Sequence, residues 1–169
     1  MGRSDTTHGI SPAGVVTVLA IMTVVVLVSL PRLHDFALRE NESDAAVLTR
    51  LLGQGLVQHA EPGADLHDLA ERMGLDPRRD DLEWVESGRL LRHHGYLFEL
   101  VPGRGEAIVR AWPWTYGETG RTAFVFRAEG GVFGHDNPGG AWTGPAQPPA
   151  LSAEGWVAVR LADRELGAF

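Results

Sequence analysis

From Ile10 to Leu30 the chain runs for 21 residues without an ionisable side chain, and the charge-free stretch reaches from Gly9 to Pro31. As an α-helix this run is about 31 Å long, the hydrocarbon thickness of a bilayer. Its many valines lower helix propensity in water. In lipid the backbone has to satisfy its own hydrogen bonds, so helix prevails. Pro12 falls in the first turn, where a missing N–H costs little. Thr17, Thr23 and Ser29 are expected to bond back to carbonyls of the preceding turn. Two other readings compete with a membrane span. A buried core helix of this length is long for a chain of 169 residues. A cleaved secretory signal wants a shorter apolar stretch and a small-x-small site, whereas this run ends in Leu30-Pro31-Arg32.

The rest of the composition narrows the function classes. There are 22 acidic and 15 basic residues, a net charge of −7, and every basic residue other than histidine is arginine. With no long basic tract, a duplex nucleic-acid surface is not expected. Cysteine is absent, which removes disulfides, thiolate catalysis and Cys-based zinc sites together. Arg3 and Asp5 flank the apolar run on one side, and Arg32, Asp35, Arg39, Glu40 and Glu42 on the other. The acidic remainder favours translocation of the C-terminal part.

Gly9-Ile10-Ser11-Pro12, the apolar run and Leu30-Pro31-Arg32-Leu33 together resemble the N-terminus of type IV pilins and type II secretion pseudopilins. In that family a polar leader ends in glycine, a prepilin peptidase cuts after it, and the new N-terminal residue is methylated. The resemblance implies a leader over 1–9, processing between Gly9 and Ile10, and a lipid-embedded helix over 10–31. Pro31 then matches the family's mid-helix proline, 21 residues after the first mature position. The family usually carries glutamate at the fifth mature position, and here that residue is Gly14. Some minor pseudopilins placed at a filament tip also lack it. The implied partners are the lipid bilayer, other pilin-like subunits and the peptidase. The implied location is the bacterial inner membrane, with the C-terminal domain outside the cytoplasm. Small residues available for helix packing are Ala13, Gly14, Ala20 and Ser29.

An amphipathic continuation of the helix is expected over 32–60. Val47, Leu48, Leu51 and Leu52 form one apolar face, Arg39 to Asp44 looks solvent-facing, and Gly53 and Gly55 mark a C-terminal boundary that Leu56 and Val57 would extend. Over 61–169 a small α+β domain follows. Asp65 to Met73 is a short helix candidate, capped by Gly74, and Asp76 to Glu86 reads as a surface connection. Beyond Trp84 glycine becomes dense, with 13 of the 21 from Gly95 onward, and short apolar strands alternate with turns, the pattern of an antiparallel sheet from about 89. The expected strands are Arg89 to His93, Tyr96 to Val101, Ala107 to Trp112, Thr122 to Arg127, Val132 to His135 and Trp156 to Leu161. Tyr96, Phe98 and Leu100 should share a face, as should Phe124 and Phe126. Glu129-Gly130-Gly131 should close a hairpin between Phe126 and Val132. Helix first and sheet later is an α+β order. The stretches Gly95 to Phe98, Ala111 to Pro113, Tyr116 to Gly120 and Phe124 to Asn137 also resemble, loosely, a family of bacterial pilin-like exported proteins.

Candidate sites are few. His93 and His94, adjacent on a strand, should point to opposite faces and not share a metal. His67 and Glu71 lie at i, i+4 and offer two ligands where zinc wants three or four. Asp136 and Asn137 could give oxygens to calcium, though no spaced Asp-x-Asp pattern accompanies them, and an Asx-type turn is the simpler account. Trp112, Trp114 and Tyr116 could form an aromatic platform for peptide or sugar, or serve as core plugs and loop anchors. Gly103-x-Gly105 lacks the rest of a dinucleotide motif, and no serine stands in a nucleophile-elbow context. No catalytic residue or cofactor is therefore expected. The sequence reads as a structural, pseudopilin-like subunit acting through helix packing. The alternative is a signal-anchored envelope binding module using the aromatic loop at 112–116.

Overall fold

The computed structural model describes residues 12–59, 65–76, 81–102 and 108–160. The chain divides into two units, Met1–Phe36 and Ala37–Phe169.

Helix α1 spans Pro12–His59 with Pro31 inside it. Within the first unit its large apolar side chains, from Val15 to Leu30, are exposed, and no part of its most apolar window is buried by protein. Thr17 and Thr23 donate to the carbonyls of Ala13 and Leu19, at 3.0 and 2.9 Å. This is a helix long and apolar enough to cross a membrane, and it supports single-pass membrane association.

The second unit is α+β. Helix α2, Leu66–Arg72, has Asp65 as N-cap, its carboxylate accepting from Asp68 N–H at 2.8 Å. It closes in a Schellman arrangement, with Gly74 N–H bonded to Glu71 and Leu75 N–H to Ala70. Seven strands follow: β1 Glu83–Val85, β2 Leu90–His93, β3 Tyr96–Val101, β4 Ile108–Pro113, β5 Ala123–Arg127, β6 Gly131–His135 and β7 Val157–Ala158. They form one antiparallel sheet in chain order. His94 and Gly95 both take positive φ, 44° and 76°, and make the two-residue β2–β3 turn that matches strand twist. The β5–β6 hairpin pairs Phe126 with Val132, as expected.

Alternation gives the sheet two apolar faces. On one, Leu91, Tyr96, Phe98, Val109, Ala111, Phe124, Phe126 and Val132 pack with Leu48, Leu52 and Leu56 of α1 and Leu66 and Leu69 of α2. On the other, Leu90, Leu97, Trp112 and Ala123 pack with Trp114, Trp142 and Trp156. Residues 136–156, which hold no strand, cover this second face. Their carbonyls have no sheet partner, so side chains of the sheet donate to them. Arg110 reaches Pro149 O at 2.8 Å, Trp112 Nε1 reaches Gly144 O at 2.7 Å, and Arg127 reaches Leu151 O at 3.3 Å.

Three expectations need correction. The segment read as a surface connection contains β1, because Glu83 pairs with Arg92 across the strands, 3.0 Å apart. The last strand is two residues long rather than running from Trp156. Gly53 and Gly55 are not the boundary of α1, which runs on past them through Leu56 and Val57 to His59. They lie inside it because a side chain there would strike its neighbours: a Cβ on Gly53 would fall 2.0 Å from Phe126 Cγ, and one on Gly55 2.4 Å from Met73 Sδ. Gly53→Ala is therefore expected to destabilise the domain by about 2 kcal/mol despite better helix propensity. Chemical denaturation of Gly53→Ala with and without Phe126→Leu measures this, and the smaller side chain should recover part of the loss.

Candidate functional site

Asn41, Glu42 and Asp44, read as solvent-facing, instead tie α1 to the sheet's loops. The Glu42 carboxylate accepts from the N–H groups of Arg121 and Thr122 at 2.7 and 3.1 Å. Asn41 donates to Thr119 O at 3.0 Å, and the Asp44 carboxylate meets His94 Nδ1 at 2.8 Å. Beneath this latch Tyr96 is fully buried and donates to Thr122 O at 2.9 Å. Burial pushes the Tyr96 phenol well up from its ordinary pKa, and the Glu42 charge adds to the effect. The hydroxyl therefore stays a donor.

The histidine pair departs from expectation. The His93 and His94 rings stack, with centroids 3.9 Å apart, instead of pointing to opposite faces. His94 sits in the turn at positive φ, outside the strand alternation that would have separated them. The His67 ring lies tilted against Trp84, with centroids 4.9 Å apart. Among the described residues no group of three or more His, Asp or Glu side chains stands ready to hold a metal ion.

Asn137 is not free for calcium. Its amide donates to Trp142 O at 2.8 Å and accepts from Trp142 N–H at 3.0 Å, and the residue is 1% exposed. It closes the turn between β6 and the covering segment. Asp136 beside it is exposed. His135 accepts at Nδ1 from Asn137 N–H, so its Nε2 donates to Glu154 O, at 2.9 Å. Trp142 and Trp156 stack in parallel against this histidine, 5.6 Å apart.

Trp112 offers no ring to a ligand. It is fully buried and its N–H is committed to Gly144. Trp114 is half-buried, with the Arg92 guanidinium 4.6 Å above its ring. Tyr116, also half-buried, packs on Gly140, and its N–H donates to Thr143. The three aromatics act as core plug and loop anchors.

An ion cluster around the buried Glu99 went unread in the sequence. Glu99 lies at the centre of the covered face, its Oε2 held by Nε and Nη2 of Arg110 and its Oε1 3.2 Å from Arg89. The signal was available: Glu99 stands between Leu97 and Val101, and Arg110 between Ile108 and Trp112, at positions that alternation turns inward.

Ala13, Gly14, Ala20, Ser29 and Pro31, the residues expected to serve helix packing, all lie in α1, with Ala13, Ala20 and Pro31 exposed and Gly14 and Ser29 partly so. Gly9 and Ile10 lie outside the described residues. No family model, curated protein or solved structure matches the chain.

Proposed function

We propose that the chain is a pseudopilin-like structural subunit of a bacterial secretion or pilus assembly. Its apolar helix sits in the inner membrane and packs against helices of like subunits, with the domain from Ala37 outside the cytoplasm. The observation that carries this reading is α1 itself. Its first turns expose only apolar and small side chains to their surroundings, and its later turns pack on an antiparallel sheet. Helix association in lipid has little hydrophobic drive and depends on close fit, for which Ala13, Gly14, Ala20 and Ser29 are the small residues at hand. A carboxylate at position 14 would need a neighbour's amine to be tolerated in lipid. Gly14 needs none and offers none, which suits a tip or minor subunit better than a repeating one.

Processing tests the reading. Protein purified from membranes of cells that express a prepilin peptidase should begin at Ile10, with a methylated amine, by intact mass and N-terminal analysis. Without the peptidase it should retain residues 1–9. A chain that keeps its original N-terminus in both cells would make the helix a plain anchor and end the pseudopilin assignment.

A further inference from the structure

The last turns of α1 and the β5–β6 hairpin leave between them an open cleft of about 740 Å³, within the size range of ligand sites. Arg50, Gln54 and Gln58, spaced one helical turn apart, line it on one side. Val57 and Val159 contribute apolar surface over the core residues Phe126 and Val132, and Arg160, after β7, also lines it. Among the described residues no aspartate or glutamate lines it, in a chain whose net charge is −7. Arg89, Arg92, Arg110 and Arg127 are each held by a carboxylate or a carbonyl. Arg50 and Arg160 have neither hydrogen bond nor ion pair among the described residues. Among the described residues, then, two guanidiniums without a carboxylate partner share the cleft with apolar surface and two side-chain amides.

We propose that this cleft binds an extended acidic peptide. Its carboxylates would lie on Arg50 and Arg160, where guanidinium geometry suits them, and an apolar side chain would rest on Val57 and Val159. A peptide fits better than a compact ligand for two reasons. The cleft is open to solvent rather than enclosed. Glutamine amides both donate and accept, which matches the alternating groups of a peptide backbone. The proposal is independent of how the apolar helix assembles.

Fluorescence anisotropy on the full-length protein in a non-ionic detergent tests it, with a labelled peptide of three Glu-Leu repeats as probe. Saturable binding that weakens with salt is expected. Arg50→Gln and Arg160→Gln should each raise Kd about threefold to tenfold, and the pair together should raise it further. Neither residue has a partner among the described residues, so denaturation midpoints should not move. Arg39→Gln, an exposed arginine elsewhere on α1, should leave Kd unchanged. Absence of saturable binding, equal binding of a peptide of three Gln-Leu repeats, or undiminished binding by the double variant would each overturn the proposal.

Discussion

Glu99→Ala is expected to destabilise the domain by about 3–5 kcal/mol, the loss typical of breaking one side of a buried ion pair. The Glu99 side chain is 9% exposed and that of Arg110 15%. They face each other across β3 and β4 in direct register, under the covering segment that Arg110 also grips through Pro149 O. Removing the carboxylate leaves the Arg110 charge on a covered face with the Pro149 carbonyl and the Trp112 ring, 5.6 Å away, beside it. Arg89 cannot substitute for the lost partner, since it is a cation that now lacks its own. The cost should therefore come from the stranded charge and not from the net worth of the pair. Glu99→Leu combined with Arg110→Met removes both charges and keeps apolar volume, and should recover most of the loss. Urea denaturation of the two singles and the double closes the cycle. A Glu99→Ala loss below about 1 kcal/mol would mean that water screens the cluster as it does a surface pair.

The same cluster shows what the sequence made legible and what it hid. β3 and β5 could be placed within a residue because alternation puts Tyr96, Phe98 and Leu100 on one face and Phe124 and Phe126 likewise. That rule should have turned Glu99 inward too, but a charge among apolar residues reads as the solvent side when only one face is thought to be buried. The second face is covered by 136–156, a glycine- and proline-rich stretch with no periodicity. Its role appears only when the donors of Arg110, Trp112 and Arg127 are seen beneath it. Contacts between distant parts of the chain were equally hidden. Glu42 caps N–H groups 79 and 80 residues away, and nothing local marks it as more than a polar helix residue. Gly53 misled for a related reason, since glycine stops an isolated helix but also permits close approach of a ring such as Phe126.

The full-length chain is expected to stay with membranes through alkaline carbonate washing and to need detergent for release, whereas a chain beginning at Ala37 should be soluble in water and fold. The first half of this prediction follows from exposed area. The large apolar side chains from Val15 to Leu30 are each 45–66% exposed. Burying them in lipid is worth on the order of 20 kcal/mol in total, and no charge between Gly9 and Pro31 opposes it. A single charge should not suffice to expel such a helix. Val24→Arg costs about 2.5–3.5 kcal/mol at the centre of a span, so that variant should still insert, while arginine at Leu19, Val24 and Val28 together should shift protein measurably into the aqueous fraction. The second half follows from where packing begins. Leu38 is the first buried residue of α1, and the sheet, both apolar faces and the Glu42 latch all lie in the unit from Ala37 onward. Among the described residues, cutting before Ala37 removes no side chain that the core uses, so its denaturation midpoint should match that of the full-length protein. If the intact chain instead fractionates with water in the absence of detergent, the exposed helix has found a protein partner, and the membrane assignment falls.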